Sequence, residues 1–170
     1  MVVALIFTTD ATAQKFSGLD KSPMDMASYP ASGRVTSKMV RVIYSRPQLK
    51  GRSMSDLAPA GKVWRTGANE AAEITFYQDA NVAGTAVKAG TYALFTIPGD
   101  SEWTVILNSN LNQWGAYSYD EAADVARVKA MASEASDSLE AFSITFQETD
   151  NGANMVMGWG TTRVSLPISK

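Results

Sequence analysis

An antiparallel β-sandwich, jelly-roll-like and with at most one short helix, is the fold this sequence predicts, on three observations. Leu139 to Glu148 is the cleanest alternation in the chain, setting Phe142, Ile144 and Phe146 against Ser143, Thr145 and Gln147. Thr91 to Ile97 is a mostly apolar run closed by Pro98-Gly99, as a central strand ending in a turn would be. Short runs of this kind recur between turn residues, the spacing of two packed antiparallel sheets.

The elements follow in order. Residues 1–13 read as the remnant of a signal peptide: the apolar run Val2 to Phe7, then Ala11-Thr12-Ala13 as a small-residue cleavage site. The run lacks a basic leader, so a buried first strand is the competing reading. It is too short to span a bilayer as a helix, and no transmembrane segment is expected. Residues 14–34, rich in Ser, Pro, Ala and Gly without a sustained period, read as a loose arm or linker. A single sandwich domain is expected over 35–170.

Within it, Lys38 to Tyr44 reads as a strand that Arg46-Pro47 stops, since proline has no N–H for a ladder. Glu73 to Gln78 is a half-buried strand with Ile74 and Phe76 on one face. Asp79-Ala80-Asn81 reads as a turn, and Val82 to Val87 as at most a short edge strand around Gly84. Asp100-Ser101 turns the central strand back into Glu102 to Leu107. Asp120 to Ser136 is alanine-rich enough for a helix, yet Val125, Arg127 and Lys129 alternate; a helical turn at Asp120 to Asp124 and a strand near Val125 to Met131 fit both facts. Met155 to Trp159 and Thr162 to Ile168 read as a closing hairpin across Gly158-Trp159-Gly160.

Composition narrows the function. The chain has 170 residues, 45% apolar and 19% charged, enough for one folded core. A net charge of -2 without a basic run argues against nucleic acid as a partner. Cysteine and histidine are both absent, which removes thiolate nucleophiles, thiolate metal sites, and the commonest general base and metal ligand. No Ser-His-Asp triad can be assembled. No cofactor, metal centre or catalytic motif is expected, and the balance leans against an enzyme.

Polar equipment is densest in Val63-Trp64-Arg65-Thr66-Gly67-Ala68-Asn69-Glu70. Arg46, Arg52 and Arg65 each sit near a residue that breaks regular structure, and guanidinium groups on stiff turns suit bidentate capture of carboxylate, phosphate or sulfate. Asn69 and Glu70 add an amide and an acceptor. The alternative is scaffolding, with Arg46 or Arg65 paired to Glu70 or Asp120. Trp114 and Tyr117 lie in a loop where aromatic rings could stack on sugars; Trp103 and Trp159 read as core packing whose N–H needs a partner. Glu70 with Asp120 is the one carboxylate pair to weigh for glycan hydrolysis, which needs acids roughly 5–10 Å apart.

Tyr44-Ser45-Arg46-Pro47, Lys50-Gly51-Arg52, Gly61 to Ala71, Ala89-Gly90-Thr91-Tyr92 through Pro98-Gly99, Glu102 to Asn108 and Gln113 to Asp120 together resemble the domain-of-unknown-function family DUF2911. The resemblance runs from about Tyr29 to the carboxyl end. It implies a β-rich fold and export by a Gram-negative bacterium, largely of the Bacteroidetes group, to the periplasm or the exterior. It supplies no activity. Ser53 to Ala60 departs from the family pattern, which usually has a more hydrophobic, glycine-containing stretch there. The expectation is therefore a non-catalytic exported protein binding a small polar, anionic or carbohydrate ligand, or an envelope partner, through Arg46, Arg52, Arg65, Asn69, Glu70, Trp114 and Tyr117. A glycan-acting hydrolase and a purely structural accessory domain are the alternatives.

Overall fold

The computed structural model describes residues 14–170, so the expected signal peptide lies outside the described residues. Nine strands run β1 (Met24–Tyr29), β2 (Val40–Ser45), β3 (Ala72–Phe76), β4 (Ala80–Val82), β5 (Thr85–Val87), β6 (Gly90–Ile97), β7 (Glu102–Asn108), β8 (Asp124–Thr149) and β9 (Gly152–Ser169). Among the described residues, helical structure is confined to one turn, α1 (Met54–Leu57), and a 3-10 turn at Glu121–Ala123. Ser53 starts α1 through a capping box with Asp56, an Oγ and a carboxylate each taking a backbone N–H.

All strand pairs are antiparallel, and the two facing layers come from one continuous sheet in the order β1-β2-β3-β6-β7-β8-β9-β4-β5. The length of β8 makes this possible. Its first part, Asp124 to Met131, pairs with β7, and the part from Met131 to Thr149 pairs with β9. Register shifts on either side of Leu139 let the ribbon bend, as bulges do. The sheet thereby turns its inner face onto itself, and Val40, Val42, Ile74, Leu94 and Leu107 share one core with Phe142, Met155, Leu166 and Val82.

The seam where the curled sheet meets itself is closed partly by side chains. The Tyr44 phenol accepts the Ile144 N–H at 2.8 Å and lies 3.4 Å from the Ile144 carbonyl, taking the place of a strand neighbour. Leu49 N–H donates to the Glu140 carbonyl and Phe142 N–H to the Pro47 carbonyl.

Three local expectations change. Met24–Tyr29, inside the supposed arm, is strand β1, paired from Met24↔Ser45 to Tyr29↔Val40. Its outward Met24 and Met26 are exposed while Ala27 and Tyr29 pack on the core, so the strand carries no apolar run to reveal it. Ala80 and Asn81 belong to β4, and the turn falls at Ala83-Gly84, both with positive φ, the geometry of a tight hairpin. No hairpin crosses Gly158-Trp159-Gly160; β9 runs unbroken through it. At Gly158 a Cβ would meet only the side-chain ends of Leu139 and Arg163, and the positive φ of Gly160 (55°) lies opposite the bulged Leu139.

Candidate functional site

Two loops cover the outer face of β6 and β7: residues 63–71, before β3, and residues 109–123, before β8. Ala71, Ala93, Phe95 and Ile106 form a second, smaller apolar cluster, with Val63, Ala116 and Tyr119 packed against it. The first loop is stitched to β6 by reciprocal bonds between Trp64 and Thr96, at 2.7 and 2.9 Å, and by Thr66 Oγ1 donating to Thr96 Oγ1. It is stitched to the second loop by Ala71 N–H to the Gln113 carbonyl (2.8 Å) and Gly115 N–H to the Asn69 carbonyl (2.9 Å). Gly67 is required because a Cβ there would approach the Ser45 carbonyl at 2.9 Å. The two loops form one hydrogen-bonded platform.

The sequence-predicted residues divide over it. Glu70 and Trp114 are brought together across a backbone bridge, with Asn69 beside them at φ 61°. Glu70 also lines a small cleft of about 70 Å³ with Met24, Ile43, Glu73 and Asn112. Trp114 and Tyr117 are 64% and 86% exposed. Trp64, Trp103 and Trp159 are buried; Trp159 Nε1 donates to the Glu140 carbonyl, whereas Trp103 Nε1 is buried without a partner.

The arginines do not converge with Glu70. Arg46 points to the seam, where its Nε donates to the Phe142 carbonyl (3.1 Å), Nη1 to Asp25 (3.0 Å) and Nη2 to Ser143 Oγ (2.7 Å). Arg52 donates to the Leu49 and Gln48 carbonyls and lines an open groove with Lys21 and Lys50. Arg65 is half-buried and its Nε has no partner. Among the described residues, neither Arg46 nor Arg65 forms an ion pair with Glu70 or Asp120; Arg46 takes Asp25 instead. The reason is register: β1, unread in the sequence, sets Asp25 opposite Tyr44, next to the turn that carries Arg46. Asp120 is occupied as a cap, accepting the Ala122 N–H at 3.0 Å, and its carbonyl accepts from Asn108 Nδ2.

A polar network missed in the sequence holds the second loop at its far end. Tyr119 Oη donates to Asp124 Oδ2 at 2.6 Å, and Asn108 Nδ2 donates to the other oxygen of Asp124 at 2.8 Å. Arg127 Nη1 adds contacts to Asp124 and Glu121, both at 3.0 Å. The visible signal was Arg127 in the alternation of β8; its partners could be found only once the loop was folded back.

Burial first, then the bond to Asp124, holds the Tyr119 phenol far above its ordinary value near 10. The folded chain therefore binds that proton more tightly than the unfolded chain. The resulting stabilisation is full below about pH 10 and is lost as pH rises beyond it. Tyr119→Phe is expected to flatten the alkaline fall in melting temperature; an unchanged alkaline slope would exclude Tyr119 as its source.

No helix among the described residues is long and apolar enough to cross a membrane. Among the same residues no group of three or more His, Cys, Asp or Glu gathers as a metal site. No curated protein and no solved structure matches the chain. One family model, described as a protein of unknown function (DUF2911), matches residues 22–168, from just before β1 to the penultimate residue of β9. With nearly the whole described sheet inside that match, the chain belongs to the DUF2911 family.

Proposed function

We propose that this chain is an exported, non-catalytic binding protein whose ligand is a carbohydrate held on the platform of Asn69, Glu70, Trp114 and Tyr117. Trp114 carries the reading. Three of the four tryptophans are buried, while Trp114 is exposed on a loop whose backbone is pinned on both sides of it, at Gln113 and Gly115. An exposed indole on a pinned backbone, beside an amide and a carboxylate, presents a flat apolar face and acceptors together, which suits the C–H face and hydroxyls of a sugar. An anion is less well served, because Arg46 and Arg52 direct their guanidinium groups to the protein's own carbonyls and to Asp25.

Titration with neutral oligosaccharides, followed by tryptophan emission, tests this. Trp114→Ala is expected to leave stability within about 0.5 kcal/mol, as an exposed change should, and to weaken binding by roughly tenfold or more, as loss of an aromatic anchor does. Equal affinity in the variant would remove the platform as the site. Export rests on the apolar run Val2 to Phe7 followed by Ala11-Thr12-Ala13. A mature mass beginning at Gln14 in envelope fractions supports it, and an intact Met1 in the cytosol sinks it.

A further inference from the structure

We propose a second binding site at the opposite end of the sheet, for a small zwitterion: a free α-amino acid or a dipeptide. The register of β2 with β3 sets Met39 and Gln78 at the end away from the platform, and there a cleft of about 640 Å³ opens between the β1–β2 loop and the β8–β9 hairpin. That volume lies within the range of small-molecule sites. Its walls carry both signs of charge, and the two best-placed charges are each held by groups of opposite polarity but no net charge. The Lys38 ammonium donates to the Pro30 carbonyl (2.6 Å) and the Ser32 carbonyl (2.8 Å), which leaves its third N–H. The Glu148 carboxylate accepts the Tyr29 phenol at 3.1 Å on one oxygen, which leaves the other.

Lys38 and Glu148 are thus oriented without neutralising each other. A simple anion would meet Glu148 and Asp150, and a simple cation would meet Lys38 and Lys170, all lining the same cleft. A ligand with a carboxylate for Lys38 and an ammonium for Glu148 satisfies both walls, through charge-assisted bonds. Gln78 and Asn151 supply amides for the remainder of such a molecule.

The test is calorimetric titration of the full chain with L-glutamine and with L-alanyl-L-alanine, beside N-acetyl-L-glutamine and L-alaninamide, which each lack one charge. Glu148→Gln keeps an acceptor for Tyr29 and removes only the charge. The expected result is binding of at least one zwitterion, weakened about tenfold or more by either cap or by Glu148→Gln, as loss of a charge-assisted bond would cause. Trp114→Ala should leave this binding unchanged, which separates it from the carbohydrate platform. No heat with either zwitterion at millimolar concentration, equal binding of capped and free forms, or an unaffected Glu148→Gln variant would each overturn the proposal.

Discussion

Trp159→Ala is expected to lower the unfolding free energy by about 3–5 kcal/mol, the range for removing a large buried aromatic. Trp159 is 2% exposed, stacks on Trp64 with ring centroids 5.5 Å apart and planes 12° apart, and meets Phe142 edge-on at 6.0 Å. Trp64 in turn contacts Phe142 and Trp103 edge-on, so four aromatic residues from three strands and the first platform loop meet at one point. Truncation opens a void that rings cannot refill by small shifts, and it leaves the Glu140 carbonyl without its indole donor. Urea unfolding followed by far-ultraviolet circular dichroism measures the change. A loss below about 1 kcal/mol would mean that this cluster does not join the two layers. Because Trp64 opens the platform loop, the same variant should also loosen hydrogen exchange at Arg65 to Ala72.

Arg46→Ala is expected to cost about 2–4 kcal/mol, since hydrogen bonds involving a charged group contribute about 1.5–3 kcal/mol each before allowance for exposure. The allowance matters, because the Arg46 side chain is 34% exposed and Asp25 43%. Even so, two strands depend on it: β1 through Asp25, and β8 through the Phe142 carbonyl and Ser143. The loss should be paired with unchanged oligosaccharide affinity, because Arg46 lies at the seam and not on the platform. A variant of normal stability that had lost ligand binding would return Arg46 to the role of ligand fork.

Periodicity made much of the fold legible. Ile74 and Phe76, and Phe142 with Ile144, point to the core as their spacing requires, and the continuous run Thr91 to Ile97 is buried on both faces, Leu94 in the main core and Ala93 and Phe95 under the platform loops. What could not be read was set by distant chain. β1 is recognisable only through its register with β2, and its exposed Met24 and Met26 offer no inward signal. Gly158 and Gly160 carry turn chemistry but occupy a bent strand, where the positive φ of Gly160 falls opposite a bulge instead of in a turn. That one sheet supplies both layers depends on β8 changing partners midway, which no local pattern encodes.

The candidate site divides along the same line. Asn69, Glu70 and Trp114 meet because their own loops pair, through backbone bonds within the two loops that the sequence already marked. Arg46 was assigned from its turn context, and its partners Asp25, Phe142 and Ser143 come from strands far along the chain. The opposing cleft is not legible in the sequence, where Lys38, Glu148 and Asp150 stand as ordinary charges at strand ends and in a turn until the sheet curls.

Backbone amide shifts recorded during an oligosaccharide titration show whether the platform holds the sugar. Changes are expected to concentrate at Asn69, Glu70 and Gln113 to Tyr117, with the amides of the opposite cleft undisturbed. Saturable binding that leaves those platform amides unshifted would contradict it.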